Sequence, residues 1–293
     1  MDEEPRDIAE KVVKPDPHAR SVALANEALN VASLFFKAKG TSKNQRYGHL
    51  ESVANLEHVI TISDAEMIDS LQRMGKDPKH ARTIPAIYMG QRGDVLVDAV
   101  VTREGSDVNP VIMLHEFIHR AAEQGGLHGK TVPFHEQMYQ LLDFSKETSD
   151  EIKVRSPEEY EQRLGETKEV IRVFNEGITQ WATLHLANRT AQFNPPVIDE
   201  TFSDEVEAIT EWFRNVFTRK GMSNDQIEEL MLDLALIGNF SRVQAALPLG
   251  DDLRTHGIKD NLYVSNLLRG IYSAFMGKRL SHIWGIKILQ NKF

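Results

Sequence analysis

The chain alternates between stretches whose apolar residues recur every three to four positions and short breaks rich in Gly, Pro, Asp and Ser. Val22, Leu24, Ala25, Leu29, Ala32 and Leu34 predict a helix over 21–37. A second helix over 63–74 opens on the capping sequence Ser63-Asp64-Ala65-Glu66 and stops at Gly75-Lys76-Asp77-Pro78. The same periodicity predicts helices over 111–123, 133–144, 169–187, 201–217, 223–237, 240–247, 261–275 and 280–289, with breaks at Gly238, 248–252 and Gly277-Lys278. Two β-branched runs, 83–89 and 94–101, flank Gly90-Gln91-Arg92-Gly93 and read as strands, Pro85 taking an edge or first-residue position. The fold class is therefore α+β: mostly helical, with a small β-sheet preceding the helix at 111–123 and a helical C-terminal lobe.

Within 111–123 stands His115-Glu116-Phe117-Ile118-His119. On a helix its two imidazoles lie about one turn apart on one face, where they can share one metal ion. Glu116 lies beside them, within reach of a proton on a water bound to that ion. Val111 to Leu114, Phe117 and Ile118 are apolar, so the helix should be buried, and its polar groups need partners there. A metal would satisfy them; separately hydrogen-bonded core histidines are the competing reading. Two ligands leave a tetrahedral zinc in need of a third. Glu176 is the candidate, set among Val173, Phe174, Ile178 and Trp181, although an acid on the polar edge of an amphipathic helix is the plainer alternative. Gly177 costs helix stability, which is tolerable where the backbone passes close to the metal or to the first helix. His128 is the second choice of third ligand. Glu123 stands about 6 Å past His119 along the helix axis, and it and His135 read as surface residues.

His115-Glu116-Phe117-Ile118-His119 and the segment Asn175-Glu176-Gly177-Ile178-Thr179 together resemble the zincin superfamily of metallopeptidases, in its gluzincin branch. The likeness covers about Asp94 to Ala187. It departs from the metzincin branch at Ala122 and Gly125, and its spacing to Glu176 differs from that of thermolysin-like enzymes. The resemblance implies a zincin-like fold, Zn2+ held by His115, His119 and Glu176, and Glu116 as general base of an endopeptidase acting on a protein or extended peptide. It implies that strand 94–101 is an edge strand pairing with substrate. It also implies a Tyr or His that stabilises the oxyanion opposite the metal, the choices being His185, His256, Tyr263 and Tyr272, with Tyr263 preferred. Asp204, Glu205 or Glu207 can steady the histidine rings, water-facing acids at a helix N-terminus being the simpler reading. The alternative function is a non-catalytic binding or scaffold protein whose structural zinc is closed by His128.

Length and composition set bounds. A chain of 293 residues with 41% hydrophobic content can bury a substantial core. The sequence divides into a charged tail over 1–18, an N-terminal lobe over 19–145, a polar linker or lid over 146–167 and a helical lobe over 168–293. A net charge of -9 argues against a nucleic-acid partner, and Arg82, Arg92 and Arg103 form no dense patch. With no apolar run of about 18 residues and no apolar leader, no membrane partner is expected. The expected location is cytoplasmic, or outside the cell by a route without a cleaved signal peptide. The absence of cysteine excludes disulfides and thiolate metal sites. The apolar stretch 267–289 suits a core or an oligomer contact, and a monomer is favoured.

Overall fold

The computed structural model describes residues 16–39, 45–74, 76–90, 98–125, 153–190, 202–238, 240–246 and 268–277, with positions 134, 138, 139 and 142. Helix α1, Pro17–Ala38, starts where the Asp16 side chain accepts from the His18 N–H and Pro17 needs no donor partner. It buries Ala25, Ala28, Val31, Ala32, Phe35 and Phe36. After α2, Gln45–Val53, a 3-10 turn at Leu56–His58 leads into β1, Val59–Ile62. Helix α3, Asp64–Arg73, carries the expected capping box: the Ser63 hydroxyl accepts from Glu66 N–H and the Glu66 side chain accepts from Ser63 N–H. A short α4, Pro78–Ala81, precedes β2, Ala86–Met89, and β3, Ala99–Arg103.

The strands form a sheet of order β1-β3-β2, β1 parallel and β2 antiparallel to β3. This corrects the expectation that 94–101 is an edge strand. The strand begins at Ala99, is buried along its length and is paired on both sides, while 94–97 lie outside the described residues. Its two faces explain the position: Val100 enters the main core and Val101 a smaller one with Met67, Leu71, Ala81 and Ala99. Among the described residues the sheet edge beside the next helix belongs to β2, whose preceding Pro85 accepts at its carbonyl from Arg103 N–H.

Gly105, with φ of 74°, turns the chain out of β3 toward α5, Pro110–Gly125. The Asn109 side chain caps α5 by accepting from Val111 and Ile112 N–H. Met113, Leu114, Phe117 and Ile118 are fully buried, each contributing about 1.5–3 kcal/mol. Helix α6, Pro157–Arg189, follows, then α7, Ser203–Thr218, α8, Asn224–Ile237, α9, Ser241–Ala246, and a helical segment over 268–277. Of the segment 146–167 read as a linker or lid, 146–152 lie outside the described residues, 153–155 are helical, and α6 then starts at Pro157 with Ser156 as cap and Glu158 and Glu159 in the first turn. α5 packs against α1, α2, β2, β3, α6 and α8 and so lies at the centre of the described fold. Predicted helix 280–289 and most of 133–144 lie outside the described residues. Among the described residues no helix is long and apolar enough to cross a membrane.

Candidate metal centre

Helices α5 and α6 pack together so that three donor atoms meet. His115 Nε2 and His119 Nε2 are 3.0 Å apart, and Glu176 Oε2 lies 3.4 Å from the first and 3.2 Å from the second. Bonds of about 2.0–2.2 Å at tetrahedral angles set zinc ligands about 3.3–3.6 Å apart. The observed sides of 3.0, 3.2 and 3.4 Å lie within or slightly under that range, close to the size one ion fills, and two imidazoles with a carboxylate are a donor set suited to zinc. Among the described residues these three form the one such cluster of His, Asp and Glu. The histidines are not separately satisfied core residues, because both present the same ring nitrogen to one point. The arrangement matches a zincin-like site of His-Glu-x-x-His plus a distal glutamate.

The far sides of both rings are held from α6 as well. Gln180 Oε1 lies 2.8 Å from His115 Nδ1 and accepts its proton, which leaves the Nε2 lone pair facing the centre. Thr179 Oγ1 and the Asn175 side-chain amide, 3.2 and 3.3 Å from His119 Nδ1, hold the second ring from its far side. One stretch of α6 thus supplies a ligand at Glu176 and ring supports one residue before and three and four residues after it. Of the α7 acids weighed for that part, Glu205 instead accepts from Arg172 at 3.0 Å. Gly177 serves the same junction. A Cβ there would stand 2.8 Å from Ile209 Cδ1 and 2.9 Å from the Glu205 carbonyl, so the close approach is to α7 and not, as expected, to the metal or α5.

Glu116 is 9% exposed, and its Oε2 accepts from the Tyr88 backbone N–H of β2. Burial pushes its carboxyl above the ordinary value, although His115, His119 and the Tyr88 N–H pull it down. Burial likewise opposes charge on Glu176, but His119 and His115 overcome it and hold that carboxyl well below the usual range. Burial works against protonated His119, yet Glu176 and Glu116 raise it. Behind Glu116 the Tyr88 hydroxyl donates to Asp98 at 3.1 Å, and Asp98 accepts from Arg120 Nε at 3.0 Å and Nη2 at 2.7 Å. Burial would raise Asp98; the Arg120 guanidinium keeps it below its ordinary value. Because Arg120 follows His119 on α5, these contacts clamp β2 against the metal-site helix. Phe202, just ahead of α7, lies nearly parallel to His115 with ring centroids 5.9 Å apart.

Sequence reasoning brought together His115, Glu116, His119 and Glu176 and missed Gln180, Thr179, Asn175, Tyr88 and Phe202. A helical wheel through Glu176 would have found Thr179 and Gln180. Nothing local announces the Tyr88 N–H, which arrives from a distant strand. Glu123 is not one of the converging ligands. His185 sits between the rings of Phe35 and Trp181, and Tyr272 lines a separate cavity of about 450 Å³ between the first half of α6 and 268–277. His128, His135, His256 and Tyr263 lie outside the described residues. No protein family, curated protein or solved structure matched this chain in comparison.

Proposed function

We propose that this chain is a zinc-dependent endopeptidase that hydrolyses peptide bonds of a protein or extended peptide. The observation that carries the reading is the placement of Glu116: a buried carboxylate beside three converging donors and tied to the backbone of an edge strand. Zinc held by His115, His119 and Glu176 would acidify a water and polarise a carbonyl. Glu116, with its proton affinity raised by burial, takes a proton from the attacking water and delivers it to the leaving amine.

The strand edge supports the choice of an extended substrate. Tyr88 sits opposite Val100 in a register where Pro85 bonds Arg103, so the Tyr88 N–H and C=O point away from β3, the N–H to Glu116 and the C=O outward, where a substrate N–H can reach it. Substrate adding to this edge lies alongside Glu116, a role that moves from the segment 94–101 to β2. Tyr263 is the candidate for stabilising the oxyanion. The test pairs metal content with cleavage. Wild type should hold about one zinc per chain, and His115→Ala and Glu176→Ala should lose both metal and activity. Glu116→Gln should keep the zinc and lose about 10²- to 10⁴-fold in peptide hydrolysis. Equal proteome-wide cleavage by wild type and Glu116→Gln overturns the mechanism.

A further inference from the structure

Helix α7 begins in a way its local sequence does not favour. Its N-cap residue is Phe202, which makes no side-chain cap hydrogen bond, whereas α3, α6 and α8 all start with a serine accepting from a backbone N–H. A benzyl group in a capping position breaks a local rule, and such breaks concentrate at functional sites. The residue is also only partly buried, so it is not wholly committed to the core. Its position gives the reason: its ring lies 13° from parallel with the imidazole of His115, at 5.9 Å between centroids. An apolar wall therefore stands directly beside one metal-ligating ring, while polar residues of α6 hold that ring from its Nδ1 side.

We propose that Phe202 is a specificity residue, the wall of a subsite that takes an aromatic or branched aliphatic side chain from the substrate residue next to the scissile bond. The inference rests on the endopeptidase reading and adds the substrate class to it. A bound apolar side chain covers the part of Phe202 still open to water and, where aromatic, adds a ring contact. An acidic side chain gains neither. It also meets Glu116 and Glu176, whose carboxylates already crowd this centre.

Short peptidyl hydroxamates of one backbone, carrying phenylalanine, leucine, alanine or aspartate at the position beside the metal-chelating group, test the proposal by calorimetric titration of the zinc-loaded protein. The phenylalanine and leucine probes should bind roughly 10- to 100-fold tighter than the alanine and aspartate probes. Phe202→Ser removes the ring, and unchanged zinc content and helical circular dichroism show that α7 stays folded beside an intact metal site. In this variant the preference should fall to within about threefold, the affinity ratio that remains when the ring's contribution is gone. A preference that survives Phe202→Ser assigns selection to another residue and overturns the proposal, as does equal binding of all four probes to wild type; both leave the metal-site reading standing. If no hydroxamate binds the zinc-loaded protein, the ion is closed to ligands and both readings fall.

Discussion

Gln180 illustrates how a single side chain divides its contribution. Its Oε1 fixes the His115 tautomer, while its Nε2 is buried and, among the described residues, has no partner. An unpaired buried amide costs about 1–3 kcal/mol, whereas losing the support behind a ligating histidine weakens metal binding about 10- to 100-fold. Gln180→Leu removes that amide but leaves the buried His115 Nδ1–H unpaired, so it should change the metal-free stability little, yet hold zinc at least tenfold more weakly in a chelator competition; unchanged affinity would show that the bond does not orient the ring. His185 gives a pH effect of known sign. Burial, with Arg189 and Lys39 nearby, lowers its pKa to about 4, and the Glu228 carboxylate 3.7 Å away is itself engaged by Arg189 at 3.2 Å. Folded His185 thus resists a proton that the unfolded chain accepts below about 6.5. It imposes no pH dependence above that value, and stability drains away as pH falls toward 4. His185→Phe should flatten this decline in urea melts across the same range. The ligands His115, His119 and Glu176 were legible because each lies in a local pattern of residue types; Gln180 becomes legible only once the phase of α6 is known.

Among the elements, α3 could be read from sequence nearly to its ends, since capping box and stop signal are both local. The first ten residues of α6 could not, because they are polar and largely exposed and carry no apolar stripe. The signal available there was Ser156-Pro157-Glu158-Glu159, a start sequence that composition alone reads as a loop. β1 is only four residues long, and its pairing with β3 spans 41 positions from Val59 to Val100, so its existence depends on contacts no local window contains. The junction of α6 and α7 supplies an element-level test. Gly177→Ala places a methyl group against the Glu205 carbonyl and Ile209, a misfit that typically costs about 1–3 kcal/mol. Because Glu176 and Gln180 flank the position, the variant should lose zinc affinity as well as Tm. A stability loss with unchanged zinc affinity would mean that the helix shifts without moving the ligands.

At the scale of the molecule, one ion would join the two helices that organise the fold, α5 contributing two ligands and α6 one. Zinc binding to the native state alone adds about 2.7 kcal/mol at a free concentration 100 times the dissociation constant. Wild type should gain thermal stability on adding zinc and lose it to a chelator, while His115→Ala should respond to neither. A metal-independent Tm in wild type would place the ligands in a site too weak to matter. Metal uptake should also release a proton, because the raised His119 competes with the ion, so affinity should fall as the solution is acidified. The overall α+β composition was legible from periodicity, but the centrality of α5 was not: packing among helices distant in sequence decides it. The length of α6 has its own result. Its 33 residues extend about 50 Å, with burial setting in only from Thr167 and Glu176 lying well inside the buried part. Amide protons of the first turns should therefore exchange with solvent through local fraying, while those around Glu176 wait for global unfolding. A single helix should thus display the full range of opening free energies, and fluctuations at its solvent-facing start should die out before they reach the ligand.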